Sequence, residues 1–90
     1  MNNSIAVQLY TLHAECEKDF YGTLERVAGL GFNGVELAGY WGKEAEDLKA
    51  TLDRLGLKAV SSHVPLERME ENLEAELEYL KAINCNNIVC

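Results

Sequence analysis

Three segments of this 90-residue chain repeat one pattern. Leu30-Gly31-Phe32-Asn33-Gly34-Val35-Glu36-Leu37, Leu55-Gly56-Leu57-Lys58-Ala59-Val60-Ser61-Ser62 and Ile83-Asn84-Cys85-Asn86-Asn87-Ile88-Val89-Cys90 share an order of parts. Each runs from a helix end through a Gly or Asn, an apolar residue and a polar or small pair into a strand. Gly31, Gly56 and Asn84 stand where a helix is closed by a residue with positive φ, which Gly and Asn tolerate best. Leu30 to Leu55 is 25 residues and Leu55 to Ile83 is 28. That spacing accommodates a strand, a crossover helix and two short loops.

The pattern predicts strands at about residues 5–10, 34–38, 58–63 and 87–90 and helices at about 18–30, 44–55 and 66–83. The first helix aligns Phe20, Leu24, Val27 and Ala28 on one face, with Asp19 in its opening turn. The second buries Ala45, Leu48, Leu52 and Leu55, and the third Met69, Leu73, Leu77 and Leu80. The acidic run Glu67, Glu70, Glu71, Glu74 and Glu78 is expected to be a solvated helix face. A βαβαβαβ order with single-helix crossovers predicts a parallel sheet of the α/β class. Periodicity does not choose between a closed barrel and an open sheet. Polar residues at inward strand positions (Gln8, Glu36, Ser61) favour the barrel, because both faces of an open sheet are covered by helices.

Size and charge narrow the function. Residues 1–90 make one domain at most. With 48% hydrophobic residues a core is available, yet a chain this short buries only around 60% of its unfolded surface. A net charge of −7 argues against a nucleic-acid partner, since binding a phosphate backbone needs clustered Lys and Arg. No apolar run approaches the ~18–20 residues of a membrane span, and the N-terminus lacks the basic start and cleavage site of a signal peptide. The three cysteines, Cys16, Cys85 and Cys90, are too widely spaced for a disulfide framework. A cytoplasmic α/β protein is expected.

In a parallel α/β protein ligands gather at the carboxyl ends of the strands. Those ends carry Gln8 and Tyr10, then Glu36 with Tyr40 and Trp41, then Ser61 and His63. Alternation places Gln8, Tyr10, Glu36, Ser61 and His63 on one side of their strands. A carboxylate, an imidazole and an amide at one mouth suit polarising a sugar hydroxyl or carbonyl. Structural roles compete with this. Ser61 can simply hold the Glu36 carboxylate, His63 can cap a loop, and Tyr40 and Trp41 can pack on the second helix. His13 reads as a residue of the first loop. Cys85 and Cys90 do not have the spacing of a zinc pair, and no Gly-rich phosphate loop joins a strand to a helix.

Ile5-Ala6-Val7-Gln8-Leu9-Tyr10, Leu30–Leu37 and Ser61-Ser62-His63-Val64-Pro65 resemble the opening of the xylose isomerase-like TIM barrels. That group of sugar phosphate isomerases and epimerases also includes inosose dehydratases, ketose 3-epimerases and, more distantly, endonuclease IV. The likeness runs from about Ser4 to Cys90. It implies the first four strands and three helices of a (β/α)8 barrel, which needs ~250 residues in full. It also implies that Glu36 and His63 line a substrate mouth, with Trp41 over it.

In that family a divalent metal (manganese, magnesium, zinc or cobalt) is held by residues of later strands, which also carry the proton-shuttling glutamates. No catalytic residue, metal ligand or cofactor is therefore expected in this segment. The expectation is a fragment of an enzyme whose whole form moves a proton next to the carbonyl of a sugar or sugar phosphate with help from the metal. A different reading is a non-catalytic module that self-associates through exposed strand edges. A third, abasic-site endonuclease activity, is disfavoured by the acidic balance.

Overall fold

The computed structural model describes residues 5–89. Four strands, β1 (Ala6–Gln8), β2 (Gly34–Ala38), β3 (Lys58–His63) and β4 (Ile88–Val89), form one parallel sheet in chain order. Helices fill every connection: α1 (His13–Lys18) and α2 (Phe20–Gly29), then α3 (Ala45–Leu55), then α4 (Leu66–Glu71) and α5 (Leu73–Ala82). The architecture is α/β, as the alternation predicts. The three closures also hold, with φ of 100° at Gly31, 70° at Gly56 and 60° at Asn84. No helix among the described residues is long and apolar enough to cross a membrane.

The third expected helix is broken and the first is preceded by an additional short one, each time at a side chain that caps better than it continues. Asp19 is extended (φ −160°, ψ 90°) and its carboxylate accepts the Gly22 N–H at 3.0 Å, so α2 starts afresh after α1. Asn72 does the same between α4 and α5, accepting the Ala75 N–H at 3.1 Å. Short polar side chains that bond nearby backbone favour such restarts. The first strand is also shorter than expected. It ends at Gln8, and Leu9–Leu12 form a 3-10 turn. His13 accordingly opens a helix and does not sit in a loop. In the fourth strand Ile88 and Val89 are paired, and Cys90 lies outside the described residues.

The core lies between the helices and one face of the sheet, built on Leu24, Val35, Leu37, Leu48 and Leu52. Leu73 and Leu77 were expected there and are instead 47% and 44% exposed. The buried stripe of α5 is centred on Glu76 and Leu80 and continues into Ile83. An ion pair from Arg68 and a ring stack on Tyr79 hold that stripe inward, which leaves the two leucines on its flank.

Register decides which side chains reach the open face. Gly34 and Val35 pair with Lys58 and Ala59, but Glu36 pairs with Ser61, so Val60 is an extra residue in β3. A bulge of this kind re-aims the side chains that follow it. Ala59 and Ser61, two apart, therefore point to opposite sides: Ala59 enters the core and Ser61 joins Glu36. Gly34 makes room for the bulge, since a Cβ there would stand 2.8 Å from the Val60 Cγ2.

Candidate substrate mouth

On the open face the register sets Gln8 beside Glu36, Glu36 beside Ser61, and Ala38 beside His63. Four side chains chosen from the sequence, Gln8, Glu36, Ser61 and His63, thus share one surface near the strands' C-terminal ends. The Ser61 hydroxyl donates to Glu36 Oε1 at 3.1 Å, so the carboxylate is half-buried yet oriented. Its second oxygen accepts no bond from a described residue that would fix it further. Above this pair a cleft of about 640 Å³ opens, lined by Gln8, Tyr10, His13, His63, Pro65 and Arg68 among others. Glu36 and Ser61 lie two positions deeper along their strands than the Ala38–His63 pair that reaches the cleft.

The aromatic residues divide. Tyr10 lies on the 3-10 turn and not on the strand, and it stands 71% exposed on the cleft wall. Trp41, with φ 55°, lines a separate groove of about 490 Å³ beside α3 and α5. That groove shares Arg68 with the cleft, and the Trp41 ring contacts the His13 ring edge-on at 4.9 Å. Tyr40 is on the covered side of the sheet. Its hydroxyl is 2.9 Å from the Ser62 Oγ and its ring stacks on Tyr79 at 3.9 Å. Packing, not a sugar platform, is what Tyr40 does. Burial pushes the Tyr40 and Tyr79 phenols up from their ordinary range, and likewise the Cys16 and Cys85 thiols. These four groups stay protonated at neutral pH and belong to the core.

The cleft wall also holds His13 and Arg68, which sequence pattern alone does not mark as site residues. His13 is carried by the short turn-and-helix after β1, which has no periodic signal. Arg68 sits in the acidic third helical segment, where a charge reads as solvated. One sequence mark does distinguish it: Arg68 is the sole basic residue between His63 and Lys81. Among the described residues no three His, Cys, Asp or Glu side chains converge to hold a metal ion.

Neither a family profile nor a curated protein matches the chain. Solved structures do. An AP endonuclease of family 2 from Brucella melitensis superposes with a TM-score of 0.78 at 20% identity, over 97% of this chain and 40% of its own. A sugar phosphate isomerase/epimerase from Parabacteroides distasonis superposes with a TM-score of 0.67 at 22% identity, over 98% of this chain and 38% of its own. The fold is that of part of a TIM barrel, four parallel strands in one sheet with helices between them. The chain spans about two-fifths of the length of either neighbour. In a TIM barrel the chemistry lies at the C-terminal ends of the strands. Of the residues in this part of the barrel, Gln8, His63 and Arg68 reach that end and line the cleft, and Glu36 with Ser61 lies beneath them.

Proposed function

We propose that this chain supplies part of the substrate mouth of a cytoplasmic isomerase or epimerase acting on a sugar or sugar phosphate, by proton transfer next to the carbonyl. The observation that supports it is the row Gln8–Glu36–Ser61 on the open face, with His63 two residues beyond Ser61 and with Gln8 and His63 lining one cleft. The Gln8 amide and the His63 imidazole offer hydrogen bonds to sugar hydroxyls, and Glu36, aimed by Ser61, accepts one from below. We assign the proton-moving base, and any metal, to strands other than these four. In the intact protein, His63→Ala and Glu36→Gln are each expected to raise KM or cut kcat on its sugar by about tenfold, the worth of about 1.4 kcal/mol. A panel of aldoses, ketoses and their phosphates provides the assay. Wild-type kinetics in both variants would remove these residues from the site.

The superposition with the endonuclease carries the fold alone, and two features weigh against a nuclease. The net charge is −7, and Arg68 is the sole Lys or Arg lining the cleft among the described residues. A phosphate-backbone partner is read through many such contacts. Self-association has an observation in its favour. β1 and β4 each have one neighbour among the described strands, and Ile5, Ile88 and Val89 are exposed beside those edges. Pairing β4 of one copy with β1 of another would satisfy both. Sedimentation of this chain as a well-folded monomer would end that reading.

A further inference from the structure

The cleft has a charged wall that the sugar-mouth reading leaves unused. Arg68 is on α4, in the first turn after Pro65, where it lines the cleft together with His63 and also borders the neighbouring groove beside α3 and α5. Its guanidinium is clamped from behind. Glu76, 8% exposed, accepts from Arg68 Nη2 at 2.9 Å, and the Tyr40 ring lies 5.9 Å from the Arg68 Cζ. Tyr40 is itself held by Ser62 and Tyr79. The clamp spans the break at Asn72 and fixes where the guanidinium stands relative to β3. Arg presents five N–H donors in a planar fork, and the hydrogen bond to Glu76 uses one of its terminal nitrogens. The side chain remains 47% exposed, so donors are left for a ligand.

We propose that Arg68 is an anion anchor on the α4 wall of the cleft, and that the ligand of this site carries a phosphoryl group there. Two arguments converge. A guanidinium fork matches a phosphoryl group with paired hydrogen bonds, which an ammonium does not. The chain carries a net charge of −7, and within the cleft Arg68 is the sole Lys or Arg among the described lining residues, so it is the place where an entering anion meets positive charge. The inference rests on reading the cleft as a sugar mouth, and it selects the phosphorylated sugars within that class.

Inorganic phosphate is the probe, titrated into the protein while the NMR signals of the Arg68 Nε–H and the His63 ring are followed. Wild type is expected to shift both signals saturably in the millimolar range. Arg68→Gln strands the buried Glu76 carboxylate and can unfold the chain, so Arg68→Gln combined with Glu76→Gln is the working variant, checked by its thermal melt. It is expected to melt as a folded protein and to bind phosphate at least about tenfold more weakly. No saturable shift in wild type, or unchanged phosphate binding in the folded double variant, overturns the proposal. On the intact enzyme, the double variant should raise KM for a phosphorylated sugar and spare its unphosphorylated analogue, while His63→Ala impairs both. An equal loss on both sugars in the double variant would overturn the anchor. Phosphate bound through Arg68 by a protein that turns over no sugar keeps the anchor and discards the isomerase reading.

Discussion

Leu37 and Glu36 are neighbours in the chain and belong to opposite surfaces of one sheet. On the covered side Val35, Leu37, Ala59 and Ser62 are sealed under the helices, and the single hydroxyl among them is matched by the Tyr40 phenol. A buried polar group without such a partner costs about 1–3 kcal/mol. On the open side Gln8, Glu36, Ser61 and His63 are polar in succession, and Gln8 and His63 are exposed. The difference separates two duties within the same strands. Apolar burial on one side supplies cohesion, and side chains on the other are free to be chosen for what they bind. A residue that the fold does not need is one that a ligand can claim.

The sharpest way to break this contrast is to cut into the covered side. Leu37 is fully buried, packed within the cluster that includes Val35, Leu48 and Leu52. Leu37→Ala removes apolar contacts and leaves a void that a well-packed site closes only in part. The expected loss is about 2–5 kcal/mol by urea denaturation, out of about 5–15 kcal/mol that holds a typical domain. A loss below about 1 kcal/mol would mean that the covered face is loosely packed and that cohesion lies elsewhere.

How much of this division was legible depends on whether a residue type has one physical use at its position. Gly31, Gly56 and Asn84 were legible because positive φ admits few residues, and each does close a helix. The stripes Phe20–Leu24–Val27 and Leu48–Leu52 were legible because apolar residues at helical spacing have one place to go. The open-face row was legible through alternation, although alternation alone would put Ala59 and Ser61 on the same side. Their separation needs the bulge at Val60, which no residue type announces. Asn72 suits a helix interior poorly but also occurs there, so the break was hidden, and with it the exposure of Leu73 and Leu77. Arg68 escaped because a charge in an acidic helix has an ordinary use in water. Only its partners, the buried Glu76 and the Tyr40 ring, show that it is fixed.

A second test uses pH to probe the covered side. Tyr40 and Tyr79 have phenols raised above 10.0, chiefly by burial, with the Ser62 hydrogen bond opposing for Tyr40 and the Tyr40 charge adding for Tyr79. The fold therefore favours the neutral phenol. Below about pH 10 both folded and unfolded chains hold these protons, and the contribution is fully present. As the pH rises from 10.0 toward the folded values, the unfolded chain ionises first and stability falls. Urea midpoints at about pH 8 and about pH 11 should show that fall. Tyr79→Phe should make it shallower, at the cost of the 2.7 Å bond to the Lys43 carbonyl. An equally steep fall in the variant would show that the Tyr79 phenol is not sealed.

The smallest expected effect is the one that sharpens the contrast most. Glu36→Gln keeps an oxygen where the Ser61 hydroxyl donates at 3.1 Å, keeps the volume, and removes a charge from a half-buried site. Stability should stay within about 0.5 kcal/mol of wild type, because a substitution that preserves shape and partner away from the core rarely does more. The urea slope should be unchanged, since the surface exposed on unfolding is the same. If the open face exists to bind, the same substitution must still weaken ligand binding in the intact protein, where a carboxylate accepts from a hydroxyl more strongly than an amide does. A variant destabilised by more than about 1 kcal/mol would make Glu36 part of the scaffold. The division between the two faces would then fail at its central residue, even with Leu37 behaving as expected.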